Sequence, residues 1–226
     1  MSAALVVFAK APRPGEVKTR LCPPFSPEQA AALYACMLDD VLEASAAACA
    51  DLGVAPILAV HPPEAVAELG RRAPAAFRAV PQRGASLAER MEAAAAEAAA
   101  AGHAPVILRG SDSPTLQTQV LRAALEALTH ADLVVAPDPD GGYDLVGLRQ
   151  PAPGLFDHPM STDAVLADTL ANARTRGLRC QRLAPGFDID TIEDLGRLAA
   201  ERREKHSLPC PRTLRFLDEH RLWELA

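Results

Sequence analysis

Short apolar runs alternate with longer helical stretches along most of this chain, and that rhythm leaves few folds open. The strand-length runs are Ala4 to Phe8, Pro56 to Val60, Arg78 to Val80, Val106 to Leu108, Leu133 to Ala136 and Cys180 to Leu183. Most of them are continuously apolar, as strands buried on both faces are, and strands in that rhythm form a mainly parallel sheet covered by helices on either side. The intervening helices announce their starts. Ser26-Pro27-Glu28-Gln29 reads as an N-cap serine, a proline at the first helical position and a capping-box glutamine. Ser86-Leu87-Ala88-Glu89 predicts a second capping box, opening an alanine-rich helix to about Ala101. Thr191-Ile192-Glu193-Asp194 predicts a third, with acidic residues favoured by the dipole of the first turn.

The pattern changes once. Asp138 to Leu148 reads as a turn followed by the alternating strand Tyr143 to Leu148, expected as an antiparallel insertion near the sheet's C-terminal edge. Beyond Arg202 the chain becomes charged, and a final helix carrying Leu214, Leu217 and Trp223 follows Pro209 and Pro211. Neither a repeat nor a linker interrupts the 226 residues, so one α/β domain spanning 1–226 is expected.

Composition narrows the class of partner. The formal net charge is -6, which argues against a general affinity for nucleic acid or anionic membrane. Five cysteines are irregularly spaced with no Cys-x-x-Cys pair, and reduced thiols in a cytoplasmic chain account for them. The start of the chain has no signal-peptide pattern, and the run Ala94 to Ala101, broken by Glu97, is too short to span a bilayer.

Against this acidic background, four cations (Lys10, Arg13, Lys18, Arg20) fall within eleven residues directly after the first strand. Ligands of open α/β sheets sit beyond the carboxyl ends of the strands, where this loop must lie. Pro12, Pro14 and Gly15 can hold its backbone for close approach, while Lys and Arg supply charge-assisted bonds to phosphate oxygens. A solvated basic surface loop is the plainer alternative. Gly15 to Thr19 lacks the Walker glycine immediately before the lysine, and no Gly-x-Gly-x-x-Gly follows the first strand. Both familiar phosphate loops are therefore set aside.

Carboxylates supply the complementary signal. Asp112 stands in Gly110-Ser111-Asp112-Ser113-Pro114 at the tip of a strand, well placed for a hard divalent cation; taken alone it is better explained as a cap of the turn or the next helix. In Phe187-Asp188-Ile189-Asp190-Thr191, alternation would point both aspartates to one face and pack Ile189 on the other. Asp112 and Asp190 together would clamp one metal against a di- or triphosphate. A third segment, Asp138-Pro139-Asp140-Gly141-Gly142-Tyr143, combines a possible base in Asp140 with glycines that admit a ligand and an aromatic face in Tyr143; it also fits a hairpin turn. Gln82, Gly84 and Arg90 form a weaker fourth segment, and His158 reads as structural.

Taken in order from Leu5 to about Leu198, these segments resemble a bacterial glycosyltransferase-like family of radical-SAM/selenodomain-associated or arsenosugar-biosynthesis transferases, within the nucleotide-diphospho-sugar transferase superfamily. The resemblance rests on Phe8 to Leu21, Gln82/Gly84/Arg90, Gly110 to Pro114, Asp140 to Tyr143, Ser161-Thr162 and Asp188 to Leu195. The opening also resembles 2-phospho-lactate guanylyltransferases through its Lys-Thr-Arg-Leu. The resemblance implies a GT-A-like three-layer αβα sandwich with Mg²⁺ or Mn²⁺ in a nucleotide cleft. Asp112 and Asp190 match the metal carboxylates, and Lys10, Arg13, Gly15, Lys18 and Arg20 match the nucleotide loop, joined by Gln82, Gly84 and Arg90. Gly141, Gly142 and Tyr143 are then expected at the acceptor, and Asp140 and Lys18 are the catalytic candidates. The chain departs in having a lone Asp112 rather than Asp-x-Asp, and in lacking a Gly-x-Gly-x-Arg opening.

The expected function is a metal-dependent transferase, a glycosyltransferase with a nucleotide-diphosphate-sugar donor and a small-molecule acceptor. The alternatives are a guanylyl- or cytidylyl-type nucleotidyltransferase with a phosphorylated acceptor, and a non-catalytic nucleotide-binding module.

Overall fold

A computed structural model of the chain describes residues 2–205 and 207–225. The strands are β1 (Ala4–Lys10), β2 (Ala55–His61), β3 (Arg78–Pro81), β4 (Val106–Arg109), β5 (Leu133–Pro137), β6 (Tyr143–Leu148) and β7 (Cys180–Arg182). The α-helices are α1 (Pro27–Leu52), α2 (Val66–Arg72), α3 (Leu87–Ala100), α4 (Thr118–Ala127), α5 (Val165–Thr175), α6 (Ile192–Glu204) and α7 (Pro211–Glu219). One seven-stranded sheet runs in the order β3-β2-β1-β4-β6-β5-β7. Only β6 is antiparallel to its neighbours, so the mainly parallel α/β fold read from the sequence is the one observed.

Side chains of β1 leave alternately to either face, and both faces are covered. Leu5, Val7 and Ala9 join the cluster under α1, α2 and α4, whereas Ala4 and Val6 join the cluster holding Met91, Ala95 and Ala98 of α3 and Leu170 and Ala173 of α5. Burial on two sides is why these runs lack polar alternation. A third cluster packs the start of α1 through Leu33 and Met37 against α6 and α7, using Leu195, Leu198 and Leu217. There Asp40, 1% exposed, accepts the Thr213 N–H and Oγ1–H at 2.8 Å each and the Arg212 N–H at 3.1 Å, tying the start of α7 to α1.

The helix starts follow the sequence signals closely. Ser26 and Thr191 form reciprocal capping boxes with Gln29 and Asp194. Ser86 accepts the Glu89 N–H at 3.1 Å, but the Glu89 carboxylate takes the Ala85 N–H instead of closing the box. Trp223 lies beyond α7, in a short 3₁₀ turn, where its indole N–H bonds Asp218.

The antiparallel strand stands inside the sheet, between β4 and β5, and the turn that leads into it lies at the carboxyl edge, as the sequence pattern suggested. Gly147 shows why the position is interior: a Cβ there would meet Val134 Cγ2 at 2.7 Å and Leu128 Cδ1 at 2.9 Å. Hydrophobic alternation reports which face is buried and carries no information about strand order. The interior placement also shapes the functional edge, because β6 reverses direction and brings the Asp138–Tyr143 turn to the side where β1, β2, β3 and β4 end.

Candidate active site

A cleft of about 930 Å³ opens along that carboxyl edge. From β1 and its following loop come Lys10, Lys18 and Arg20; from the end of β3 and the start of α3 come Gln82 and Arg90; from β4 comes Asp112. The turn before β6 contributes Asp140, Gly142 and Tyr143, and the segment before α6 contributes Asp188 and Asp190. Segments far apart in sequence are thus brought to one place. Arg13, Gly15, Gly84 and Gly141 are not among the residues facing the cleft. Arg13 pairs loosely with Glu64 at 4.0 Å.

Gly141 nevertheless shapes the cleft wall. Its φ is +93°, and a Cβ would fall 2.0 Å from the Asp163 carbonyl oxygen. Its own carbonyl accepts the Leu166 N–H at 2.8 Å, so the turn sits flush against the start of α5. Only glycine permits both that backbone angle and that approach.

Lys18 lies at the floor. Its side chain is 3% exposed, and its ammonium bridges Asp112 and Asp190, the latter at 2.7 Å. Burial alone would lower the lysine pKa; the two carboxylates outweigh it and hold the ammonium above its ordinary value. The backbone of Lys18 is left-handed, at φ 50° and ψ 35°. That conformation costs a non-glycine residue on the order of 1–2 kcal/mol, which the two ion pairs offset. Burial raises the Asp190 pKa, but Lys18 and then Arg20, 3.3 Å away, pull it below the ordinary carboxylate value. Ile189 is fully buried between Asp188 and Asp190, as alternation requires.

Behind this pair lies a second acidic group. Oxygens of Asp138, Asp144 and Asp188 all lie within 4.8 Å of one another. Asp144 is 2% exposed and neither of its carboxyl oxygens has a hydrogen-bond partner; one oxygen of Asp188 is likewise buried and unpartnered. Burial, then Asp188 and Asp138, push the Asp144 pKa up to about 10, and burial followed by Asp112 pushes Asp188 to about 8. Arg109, buried beneath, is pulled down to about 10 by burial against the attraction of Asp144 and Asp188. Its guanidinium is held by Ser45 Oγ at 3.1 Å and the Ser113 carbonyl at 2.8 Å.

Asp140 faces the cleft with Oδ1 engaged, accepting the Gly142 N–H at 2.8 Å. Burial raises its pKa. His158 Nε2 is hydrogen-bonded to Thr169 Oγ1 at 2.9 Å and is not among the residues lining the cleft. The reading of single residues missed Arg109, Asp144 and Tyr34. Tyr34 is buried, accepts the Lys10 N–H at 2.9 Å and pairs with Ser111 at 2.8 Å, fixing the β1 loop against the Asp112 turn.

This arrangement, cations on one wall and carboxylates on the other, can be set beside known proteins. Residues 43–162 match the family described as "Uncharacterized protein conserved in bacteria (DUF2064)". The chain belongs to that family. It is 36% identical over 187 residues to the 3-phospho-D-glycerate guanylyltransferase of Phenylobacterium zucineum, covering 80% of this chain and 84% of that protein. It is 32% identical over 189 residues to the phosphoenolpyruvate guanylyltransferase of Sphaerobacter thermophilus, covering 80% and 86%. Among solved structures, a Desulfovibrio desulfuricans G20 protein named provisionally as a nucleotide-diphospho-sugar transferase is 31% identical, with a TM-score of 0.82 over 97% of this chain and 96% of that one. A cytidylyltransferase from Leptospira borgpetersenii serovar Hardjo-bovis superposes with a TM-score of 0.58 at 14% identity, over 99% and 96%, and so shares the fold. The fold is that of the nucleotide-diphospho-sugar transferases. Among the described residues no helix is long and apolar enough to cross a membrane.

Proposed function

We propose that this DUF2064 protein is a nucleotidyltransferase: it takes a nucleoside triphosphate, GTP first among the candidates, and joins the nucleoside monophosphate to a small phosphorylated acceptor with release of pyrophosphate. The observation that carries the reading is the buried Lys18 bridging Asp112 and Asp190 beneath a wall of cations, an arrangement suited to a polyphosphate. The guanylyltransferases to which the chain is similar support the same chemistry. Glycosyl transfer from a nucleotide-diphosphate-sugar, the first expectation from the sequence, finds no such support among these relatives.

The residues present fit a divalent metal. Lys18 is a stand-in cation that marks where Asp112 and Asp190 converge, and Asp188, with one unpartnered buried oxygen, lines the same cleft. Asp112 and Asp190, with Asp188 as a further donor, would hold Mg²⁺ or Mn²⁺, hard ions that prefer carboxylate oxygen. When bound, the metal would neutralise phosphate charge and favour departure of pyrophosphate.

The rest is done by the chain's own side chains. Lys10, Arg20 and Arg90 are placed to bind the triphosphate, and Lys18 to neutralise charge developing at the α-phosphate. An acceptor phosphate oxygen forms the new bond to the α-phosphorus as the bond to the bridging α–β oxygen breaks, and pyrophosphate leaves with that electron pair. The attacking phosphate is already ionised, so no general base is required. Asp140 is then a residue that builds the turn before Tyr143, and Gly142 and Tyr143 with Ser161 and Thr162 face the acceptor. The test is pyrophosphate release from each of the four nucleoside triphosphates with 3-phosphoglycerate, phosphoenolpyruvate and other phosphomonoesters, with and without Mn²⁺. Metal- and acceptor-dependent release supports the reading; release of a nucleoside diphosphate from a nucleotide-sugar, with none from any triphosphate, rejects it.

A further inference from the structure

Asp138 does not fit the part of a ligand. It is 8% exposed, yet both of its carboxylate oxygens are already used by backbone. Oδ2 accepts the Asp188 N–H at 2.6 Å, and Oδ1 accepts the Asp140 N–H at 2.8 Å. Its own N–H donates to the Gly142 carbonyl at 3.1 Å, and its carbonyl accepts the Gly141 N–H at 3.2 Å. One residue earlier, the Pro137 carbonyl accepts the Gly186 N–H at 3.1 Å. A single buried side chain therefore joins the end of β5, the turn before β6 and the segment carrying Asp188 and Asp190. The joined segments lie fifty residues apart in the chain.

We infer that Asp138 is a positioning residue: its carboxylate sets the distance between the acceptor turn and the Asp188–Asp190 segment, and so holds the metal-binding carboxylates in place without touching the metal. The inference rests on the reading that Asp188 and Asp190 hold the ion. Charge and geometry are both needed. An ionised carboxylate accepts two N–H groups at once, whereas an amide in the same place offers one acceptor oxygen and turns an NH₂ group against the other N–H. Asp138→Asn therefore releases one of the two segments while leaving shape and volume unchanged. The N–H so released, at Asp140 or at Asp188, loses the acceptor that ties its segment to the end of β5. By contrast the nucleotide wall, made by the loop after β1 and by α3, is untouched.

The effect is separable from catalysis. Binding of Mn²⁺ is read by water-proton relaxation, with the ion titrated into the protein alone and in the presence of a non-hydrolysable GTP analogue. Asp138→Asn is expected to weaken Mn²⁺ binding at least tenfold in the ternary complex, lower kcat, and leave KM for the triphosphate within twofold. Asp138→Glu, which keeps the charge but pushes the carboxylate outward by one methylene, is expected to restore part of the Mn²⁺ affinity. Equal Mn²⁺ affinity in wild type and Asp138→Asn overturns the inference and leaves the proposed function standing. No Mn²⁺ binding by the wild type under either condition removes the reading on which it rests. Should Asp138→Asn fail to fold, amide exchange in the wild type decides: slow exchange at both Asp140 and Asp188 supports the clamp, and exchange at the rate of an open loop at either one contradicts it.

Discussion

The two walls of the cleft are built by different parts of the sheet and carry opposite charge. The β1–β2–β3 wall is entirely parallel and ends in Lys10, Gln82 and Arg90. The β4–β6–β5 wall contains the reversed strand and ends in Asp112, Asp140 and Asp188. Lys18 reaches across from one to the other, and it does so from a left-handed backbone. The lesson is a division of labour: the parallel wall gathers positive charge and the wall with the inserted strand gathers carboxylates, which in the proposed function serve a polyphosphate on one side and a cation and acceptor on the other.

Breaking the acidic wall has the largest expected consequence. Asp112→Asn or Asp190→Asn should lower kcat by about 100-fold or more, since even the outer partners of metal ligands cost 10–100-fold, while circular dichroism shows an unchanged fold. Activity within threefold of wild type in both variants would remove these residues from the site. The cationic wall should respond by location and not by charge alone. Arg20 faces the cleft and Arg13 does not, so Arg20→Ala should weaken triphosphate binding about tenfold, from the loss of one charge-assisted contact. Arg13→Ala, measured by the same calorimetric titration, should stay within twofold; equal losses would mean that both act through the net field of the loop.

Lys18 sharpens the contrast because its two effects have opposite signs. Lys18→Met vacates the position between Asp112 and Asp190, so Mn²⁺ binding without nucleotide should tighten by about fivefold, from relief of like-charge competition. Triphosphate binding by the same variant should weaken. A parallel loss of both would show that Lys18 organises the loop and does not compete with the ion.

How much of this was readable beforehand depends on the residue. Strands such as β1 and β5 were legible because burial on both faces demands an unbroken Val, Leu and Ala run. Helix starts were legible because Ser26 and Thr191 cap through local contacts. Asp112 and Asp190 stood out only as a pair, since either one alone reads as an ordinary turn or helix cap. Arg109 and Asp144 did not. A charged residue at the end of an apolar strand looks like a solvent-facing terminus, whereas Arg109 is buried against Ser45 of α1 and the Ser113 carbonyl, and Asp144 beside Asp138 and Asp188. The left-handed Lys18 was likewise hidden, since its conformation is imposed by partners more than ninety residues away.

Asp144 bears on stability, and with a clear sign. Its pKa in the fold, about 10, lies above the ordinary carboxylate value of 3.8. The folded state therefore holds this proton more tightly than the unfolded chain, and the stability it contributes is complete below pH 3.8 and is lost as pH rises toward 10. Asp188, raised to about 8, adds to the slope in the same direction. In Asp144→Asn the amide is neutral throughout, so metal-free stability should fall less steeply between pH 5 and pH 8. Urea unfolding should show the two slopes differing by about 1 kcal/mol per pH unit, since one bound proton corresponds to about 1.4 kcal/mol per pH unit. Identical slopes would mean that Asp144 is ionised in the fold and balanced by Arg109.

The most direct test of nucleotidyl transfer follows the phosphorus atoms. GTP labelled at the α-phosphate in one reaction and at the γ-phosphate in another is incubated with the protein, Mn²⁺ and a phosphorylated acceptor such as 3-phosphoglycerate or phosphoenolpyruvate. The α-label should appear in a new species containing acceptor and nucleoside, and the γ-label only in pyrophosphate. Retention of both labels in GTP across the acceptor panel, together with release of a nucleoside diphosphate from a nucleotide-sugar, would contradict the assignment of these two walls to nucleotidyl transfer.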